Sequence, residues 1–378
     1  MLRNFRRFIE YRSSLAIRPI LNCLALSLHE QKKYIEWKAR LAYRRYKFKG
    51  LFNYFLSLID ANLRLPFCLG KPTRLDITII EGRCNFSCKM CSLSLATAKR
   101  EISFAGFKRI FDASKYVASL NLLAWGEPFM VKDIFRMIDY ATVHNCSVGT
   151  VTNMSLINEA MARKIIESRL DSLAISFDAA EPGLFERIRQ GAKFQTIVNN
   201  IKILNRLKKE YRLENPQLSL IVTAMKENIY EIPKIIELAH QLEIKEVKIN
   251  PLMVFGVGAG LAIEEQSLTN FPELTQGIFT AAKKRAKELG INFSCPDYRR
   301  HRSSCKLPWL TLNALMNGKI NLCCSYYPGL GNMFEDGINN IWNSRNFRLI
   351  RKATKKENSI CYWCVRALNG YPNLSRPI

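Results

Sequence analysis

The 378-residue sequence predicts a mixed α/β fold, with a parallel sheet covered by helices, a helical extension before it and a small cysteine-rich segment after it. Three observations predict this. Short apolar runs alternate with longer stretches of helical period from Leu75 to Leu289. Most of the twelve cysteines fall into two groups, Cys84 to Cys91 and Cys305 to Cys364. The formal charge of +25 is concentrated at the start, where residues 1–50 hold thirteen Lys or Arg against three Glu, a net of +10. These shifts divide the chain into a basic helical extension (1–70), an α/β core (71–292) and an auxiliary segment (293–378).

In the extension, Arg3, Arg6 and Arg7 precede the apolar run Pro19 to Leu28 in the manner of a signal peptide. Arg18 and Pro19 interrupt it, no small-residue cleavage site follows cleanly, and no stretch reaches the length needed to cross a bilayer. The segment therefore reads as retained and the protein as cytoplasmic, where cysteines at metal-ligand spacing stay reduced. Further on, Tyr34, Trp37, Tyr43, Tyr46 and Phe48 interleave with Arg40, Arg44, Arg45, Lys47 and Lys49. That pattern gives the packing and solvent faces of one helix, or a surface for an anionic partner: acidic lipid, nucleic acid, an acidic electron donor or an acidic substrate. Pro66, Gly70 and Pro72 mark a linker.

Six strand-like runs follow: Leu75 to Ile80, Leu120 to Ala124, Val148 to Val151, Leu173 to Phe177, Leu218 to Val222 and Val247 to Ile249. Between them lie helices with clear apolar spacing, among them Phe107, Ile110, Phe111 and Ile232, Ile235, Ile236, Ala239. Asn228 is placed to cap the last helix, and Pro233 suits its first turn. Periodicity alone does not separate an open doubly wound sheet from a barrel. Gly256 to Gly260 imitates a phosphate loop but lacks the Lys-Ser or Lys-Thr ending, so it reads as a mobile connector. A helix around Phe279 to Leu289 closes the core. Asn317-Gly318 then predicts a hairpin between Leu310 and Cys324, and a helix around Ile341 to Ile350 leads to Cys361-Tyr362-Trp363-Cys364.

The loop after the first run, Cys84-Asn85-Phe86-Ser87-Cys88-Lys89-Met90-Cys91, is the chemical centre of the sequence. Three thiolates so close suit three corners of an iron-sulfur cube and leave one iron open to a ligand. A zinc knuckle or buried structural thiols are the bland alternatives, and zinc would need a fourth ligand nearby. The second group offers four thiolates, Cys305, Cys323 or Cys324, Cys361 and Cys364, enough to close a cluster or a structural zinc site. Cys23, Cys68, Cys146 and Cys295 have no matching partners and read as buried thiols.

The C-x-x-x-C-x-x-C loop resembles the signature of radical S-adenosylmethionine (SAM) enzymes, with Met90 where an aromatic residue is frequent. Ala124-Trp125-Gly126-Glu127-Pro128 is similar to that family's GGEP motif, with Trp125 for the first glycine. Ser176-Phe177-Asp178 and Arg189-Gln190-Gly191 resemble its S-x-D and R-x-G segments, and Thr152-Asn153-Met154 replaces its usual T-N-G. The resemblance implies a partial (β/α)6 barrel and a 4Fe-4S cluster on Cys84, Cys88 and Cys91. It also implies SAM contacts from Gly126, Glu127, Ser176, Asp178 and Arg189. The spacing from Cys305 through Gly318 to Cys323, with the Ile341-Trp342-Asn343-Ser344 tract, resembles SPASM and twitch domains. That implies a second, auxiliary 4Fe-4S cluster on Cys305, Cys323, Cys361 and Cys364, with Cys324 spare.

The expected activity is cleavage of SAM to a 5′-deoxyadenosyl radical that abstracts hydrogen from a substrate carbon. The resemblance points first to a peptide or protein substrate and next to a small polar or lipid-linked metabolite. It implies an acidic electron donor such as a flavodoxin or ferredoxin. A peripheral membrane contact through the basic N-terminus is a further expectation, and nucleic acid is not expected as a partner. A non-catalytic electron relay or scaffold is the rival, but it has no need of the SAM-binding motifs.

Overall fold

The computed structural model describes residues 29–95, 98–252, 263–296, 305–323 and 329–354. Six parallel strands form the centre: β1 (Arg74–Arg83), β2 (Ser119–Gly126), β3 (Ser147–Thr152), β4 (Ser172–Ser176), β5 (Gln217–Ala224) and β6 (Glu246–Pro251). They lie in sequence order, followed at the β6 edge by the parallel strand β7 (Asn292–Ser294). At the β1 edge, β8 (Thr311–Ala314) pairs in parallel with β1, and β9 (Ile320–Asn321) pairs antiparallel with β8. The hairpin through Asn317-Gly318 is therefore present, and it extends the barrel sheet instead of standing beside it. The expected boundary at 292/293 falls inside β7, and the sheet continues across it. One apolar core runs from Leu75 and Ile77 through Trp309, Leu312 and Ile320 to Trp342 and Phe347.

The two faces of the sheet differ, as strand alternation dictates. Leu120, Leu122, Val148, Leu173, Ile175, Leu220 and Val247 are almost wholly buried. Packed in the same core are side chains of α2 (Phe104–Ala113), α3 (Ile134–Val143), α4 (Glu159–Glu167), α6 (Phe194–Glu210), α7 (Ile232–Gln241) and α8 (Pro272–Glu288). The short helix α5 (Pro182–Ile188) follows β4. On the opposite, inner face Leu123, Trp125, Ala174, Ser176, Ile221 and Lys248 stay half-exposed, and Val151 is 39% exposed. These half-open side chains line the lumen of the sheet.

Caps come where short polar side chains precede the apolar period. Ser103 accepts from the Gly106 N–H, and Asn158 accepts from the Met161 N–H. Pro233 sits in the first turn of α7 as expected, but Asn228 does not cap it. A short 3-10 turn intervenes, and the Asn228 amide instead donates to Asp178 O and Thr223 O while accepting from Met225 N–H. The helix expected at Ile341 to Ile350 is two, α10 (Ile338–Trp342) and α11 (Arg345–Ala353), because Ser344 caps a fresh start by accepting from Phe347 N–H. The short helix α9 (Leu307–Leu310) leads into β8. Gly256 to Gly260, Cys23, Cys324, Cys361 and Cys364 lie outside the described residues.

The extension forms α1 (His29–Leu63), bent at Lys47, whose φ of +55° is non-helical. Gly50 permits the close approach of the two halves, since a Cβ there would stand 2.3 Å from Ala42 O. The buried side of α1 lies under the amino ends of the strands, where Leu51, Tyr54, Phe55 and Leu58 pack with Ala118. The segment expected as a linker is stitched to the C-terminal segment. Trp309 Nε1 donates to Leu65 O at 2.7 Å, Trp342 Nε1 donates to Gly70 O at 2.9 Å, and the fully buried Arg351 donates to Pro66 O and Pro308 O.

Beneath the sheet, burial lowers the Lys38 pKa to about 8 from 10.5, with Arg74 adding to the effect and Asp76 and Asp171 opposing it. The unfolded chain then holds this proton more tightly, so stability rises as pH climbs from about 8 to 10.5. Lys38→Met is expected to melt higher than the parent chain at pH 7, with the gap narrowing across that window. Melting curves that stay parallel from neutral pH upward would contradict the burial of this charge.

Candidate active site

The motif residues, scattered over a hundred positions in sequence, converge at the carboxyl ends of β1 to β4. Cys84 follows β1, Gly126 and Glu127 end β2, Thr152 and Asn153 end β3, and Ser176 and Asp178 end β4. This is the end of a parallel α/β sheet where sites are generally built. Gly126 is required by a close approach: a Cβ there would fall 1.9 Å from Arg83 O on the neighbouring strand.

The cysteine loop is tied down on two sides. Ser87 and Cys88 pair antiparallel with Gln190 and Arg189, and Lys89 N–H donates to Ile188 O at 3.0 Å. Across the mouth, Asn153 Nδ2 donates to Asn85 Oδ1 at 2.9 Å, and Asn85 Nδ2 donates to Ser155 Oγ at 2.7 Å. Met90 packs beside Ile188, Met225 and Leu252.

The sulfurs face donors. Cys84 Sγ lies 3.4 Å from Phe86 N and 3.8 Å from Asn153 Nδ2, and Cys88 Sγ lies 3.9 Å from Arg189 Nη1. Burial raises the Cys84 thiol and pushes Cys88 up to about 12, with Arg189 opposing the rise at Cys88. Cys91 is the exposed member of the three. Among the described residues no three His, Cys, Asp or Glu side chains converge on a single metal ion.

Behind Cys88 stands a buried ion pair. Arg189 Nη2 is 2.6 Å from Asp178 Oδ2, and Asp178 also accepts from Thr223 N–H at 2.7 Å. Asp178 is wholly buried, and burial pushes its carboxyl up while Arg189 opposes. Its place is thus behind Arg189. Ser176 is half-buried on the inner face, opposite Ile221 in the ladder.

Glu127 is 1% exposed and already engaged. It accepts from Thr152 Oγ1 at 2.7 Å, Asn153 N–H at 2.8 Å and Phe129 N–H at 3.3 Å. Burial raises its carboxyl, and these donors oppose the rise. The carboxylate therefore locks the ends of β2 and β3 together, a role that no spacing in the sequence revealed. Met154 adopts a left-handed φ of +66° with its side chain buried, at the position where the resemblance to a T-N-G segment leads us to expect glycine.

Beside this array a pocket of about 550 Å³ opens between Thr78, Glu81, Trp125, Met316 and Asn317. Glu81 pairs with Arg100 at 2.7 Å, and Arg83 pairs with Glu101 at its rim. The hairpin turn thus joins the barrel in forming one wall.

Three cysteines at the mouth, N–H groups turned toward their sulfurs and a guanidinium beside Cys88 fit a thiolate-held cluster of net negative charge. The Arg189 Nε atom is buried with no hydrogen-bond partner among the described residues, a donor left over for an anionic group. Cys305 and Cys323 are both half-buried on either side of the hairpin. Because Asn153 N–H needs an acceptor, Glu127→Gln is expected to set an amide NH2 against a donor or lose that bond. The expected cost is about 1–3 kcal/mol in urea unfolding, and an unchanged midpoint would refute the locking role.

A family model described as the radical SAM superfamily matches residues 78–258, and a SPASM model described as an iron-sulfur cluster-binding domain matches residues 305–365. A PqqA peptide cyclase from Granulibacter bethesdensis is 26% identical over 250 residues, covering 64% of this chain and 65% of that protein. The chain thus spans just under two thirds of that relative's length. An AdoMet-dependent heme synthase from Methanosarcina barkeri is 22% identical over 309 residues, covering 74% and 85%. Streptococcus suis SuiB bound to S-adenosylmethionine shares the fold with a TM-score of 0.61 at 15% identity, over 91% of this chain and 79% of that one. With a parallel barrel sheet, the cysteine loop at its carboxyl mouth and the cysteine-flanked hairpin after it, the chain carries a radical SAM domain and a SPASM-type iron-sulfur domain.

Proposed function

We propose that this protein cleaves SAM reductively and uses the resulting radical to take a hydrogen atom from a carbon of a peptide or protein. The observation that carries this reading is the seating of the Cys84 to Cys91 loop at the mouth of an open, half-apolar lumen. Cys84, Cys88 and Cys91 hold the first 4Fe-4S cluster, which when bound supplies one electron and an open iron for the amino and carboxylate groups of SAM. Arg189 keeps a positive charge beside Cys88, and Asp178 fixes the angle at which it does so. Gly126, Ser176 and the backbone ends clamped by Glu127 shape the SAM cradle, while Leu123, Trp125 and Val151 keep water from the reacting carbon.

Cys305, Cys323, Cys361 and Cys364 are assigned to the auxiliary cluster, which supplies an acceptor for the electron left on the substrate and so places the enzyme among oxidoreductases. The relatives named for a peptide, PqqA, support a peptide substrate over a metabolite. The polar inner-face residues Ser176, Lys248 and Asn250 favour a small polar molecule as the second reading. Cys91 is the exposed member of the loop's three cysteines, so an acidic flavodoxin or ferredoxin would deliver its electron on that side. The basic N-terminal segment suggests a peripheral membrane contact.

Anaerobic protein loaded with iron and sulfide is expected to form 5′-deoxyadenosine from SAM and dithionite, and Cys88→Ala is expected to form none above background. In producing cells, a peptide lighter by two hydrogens that is absent with Cys88→Ala would support the peptide reading. A fully loaded protein that never forms deoxyadenosine would make the electron-relay reading the better one.

A further inference from the structure

We propose that the outer face of the second half of α1, continued by Phe67 and Leu69, docks this protein on the surface of an anionic lipid bilayer. This rests on the membrane contact suggested above and names the surface that makes it. A helix lying on a fold normally turns its apolar side inward and a polar side to water. Residues 48–63 break that rule. Their inner side is buried under the sheet through Leu51, Tyr54, Phe55 and Leu58. Their outer side carries Phe48 and Phe52, 69% and 67% exposed, then Leu56, Ile59 and Leu63, the last 61% exposed. Phe67 follows at 53%.

Charge decides which occupant fits. From Arg40 to Lys71 the exposed residues are cations, large apolar side chains and Asn62, and the one acid in that span, Asp60, is wholly buried. Helix α11 is tied to this stretch by the Arg351 bond to Pro66 O and adds exposed Arg345, Arg348 and Lys352 around exposed Leu349. A second copy meeting this face would set like charges together. Residues 1–28, with five Arg against one Glu, would be repelled by the same rim if they folded over it. Aromatic and aliphatic side chains ringed by cations, with no acid exposed, match an anionic headgroup layer above hydrocarbon. No helix among the described residues is long and apolar enough to cross a membrane, so the contact is peripheral.

The placement also fixes an orientation. Helix α1 covers the amino ends of the strands, and the cysteine loop and pocket open at the carboxyl ends. A docked molecule therefore turns its reacting mouth to the water, so its substrate arrives from solution and is not drawn out of the same bilayer.

The full chain should float with phosphatidylcholine vesicles containing phosphatidylglycerol, weakly with phosphatidylcholine alone, and less as salt is raised. The double variant Phe52→Glu, Phe67→Glu should lose about tenfold or more of the bound fraction, since burying two carboxylates in the apolar layer is unfavourable. Its melting temperature and iron content should match the parent chain, because both side chains are exposed. Parent and variant floating equally would overturn the proposed face and leave the basic N-terminus as the contact. Neither floating would overturn both. A dimer of the parent chain that the double variant abolishes, without vesicle binding, would assign the face to a second copy.

Discussion

The buried pair between Arg189 and Asp178 is the constraint on which the rest of the site depends. A guanidinium and a carboxylate removed from water are stable only when each is held at contact and given further partners. Here Thr223 N–H completes Asp178, and the two-residue ladder with Ser87 and Cys88 fixes the backbone of Arg189. Because Asp178 ends β4 and Cys88 lies in the loop after β1, the pair joins strands that are not neighbours and holds the cysteine loop over the lumen. The clamp made by Glu127 joins the ends of the neighbouring strands β2 and β3. Two buried carboxylates, each engaged by donors, set the positions of residues that have no contact with one another in sequence.

That arrangement explains why a long, open strand face is tolerated. Val151, Trp125 and Ile221 would be poor choices for a face meant to meet bulk water, yet they suit the lining of a lumen of the size and apolar character that ligand sites have. The C-terminal hairpin pairs with β1 and not with the β6 side, so the SPASM-type segment contributes Leu315, Met316 and Asn317 to the wall of the mouth. Substrate access and the second cysteine set are thus linked through one edge of one sheet.

Much of this was legible in the sequence. All six barrel strands and most of the helices between them follow the apolar period, because parallel strands buried on one side and helices with one buried stripe write their periods directly into the residues. The cysteine loop and G-E-P tract were legible because chemistry restricts residue type there. What was not legible depends on partners distant in sequence. Nothing near Glu127 announces that Thr152 and Asn153 will consume its oxygens, and nothing near Asp178 announces that it lies behind Arg189. Asn228 looks like a cap because its local context is that of a cap, but the loop from Thr223 to Met225 competes for the same amide. Similarly, the interleaved aromatics and cations of the N-terminal segment fixed a helix. Only the packed structure separates the buried Tyr54 and Phe55 from the exposed Phe48 and Phe52.

The proposed chemistry requires an iron-sulfur cluster at Cys84, Cys88 and Cys91 with one iron open to SAM. Electron paramagnetic resonance on a chain carrying Cys305→Ala and Cys323→Ala isolates that cluster from the second one. After anaerobic reduction the account predicts a 4Fe-4S signal whose g-values change when SAM is added, because an incoming amino and carboxylate pair alters the open iron. A signal from a fully loaded protein that is indifferent to SAM would contradict it, as would zinc in place of iron at that loop.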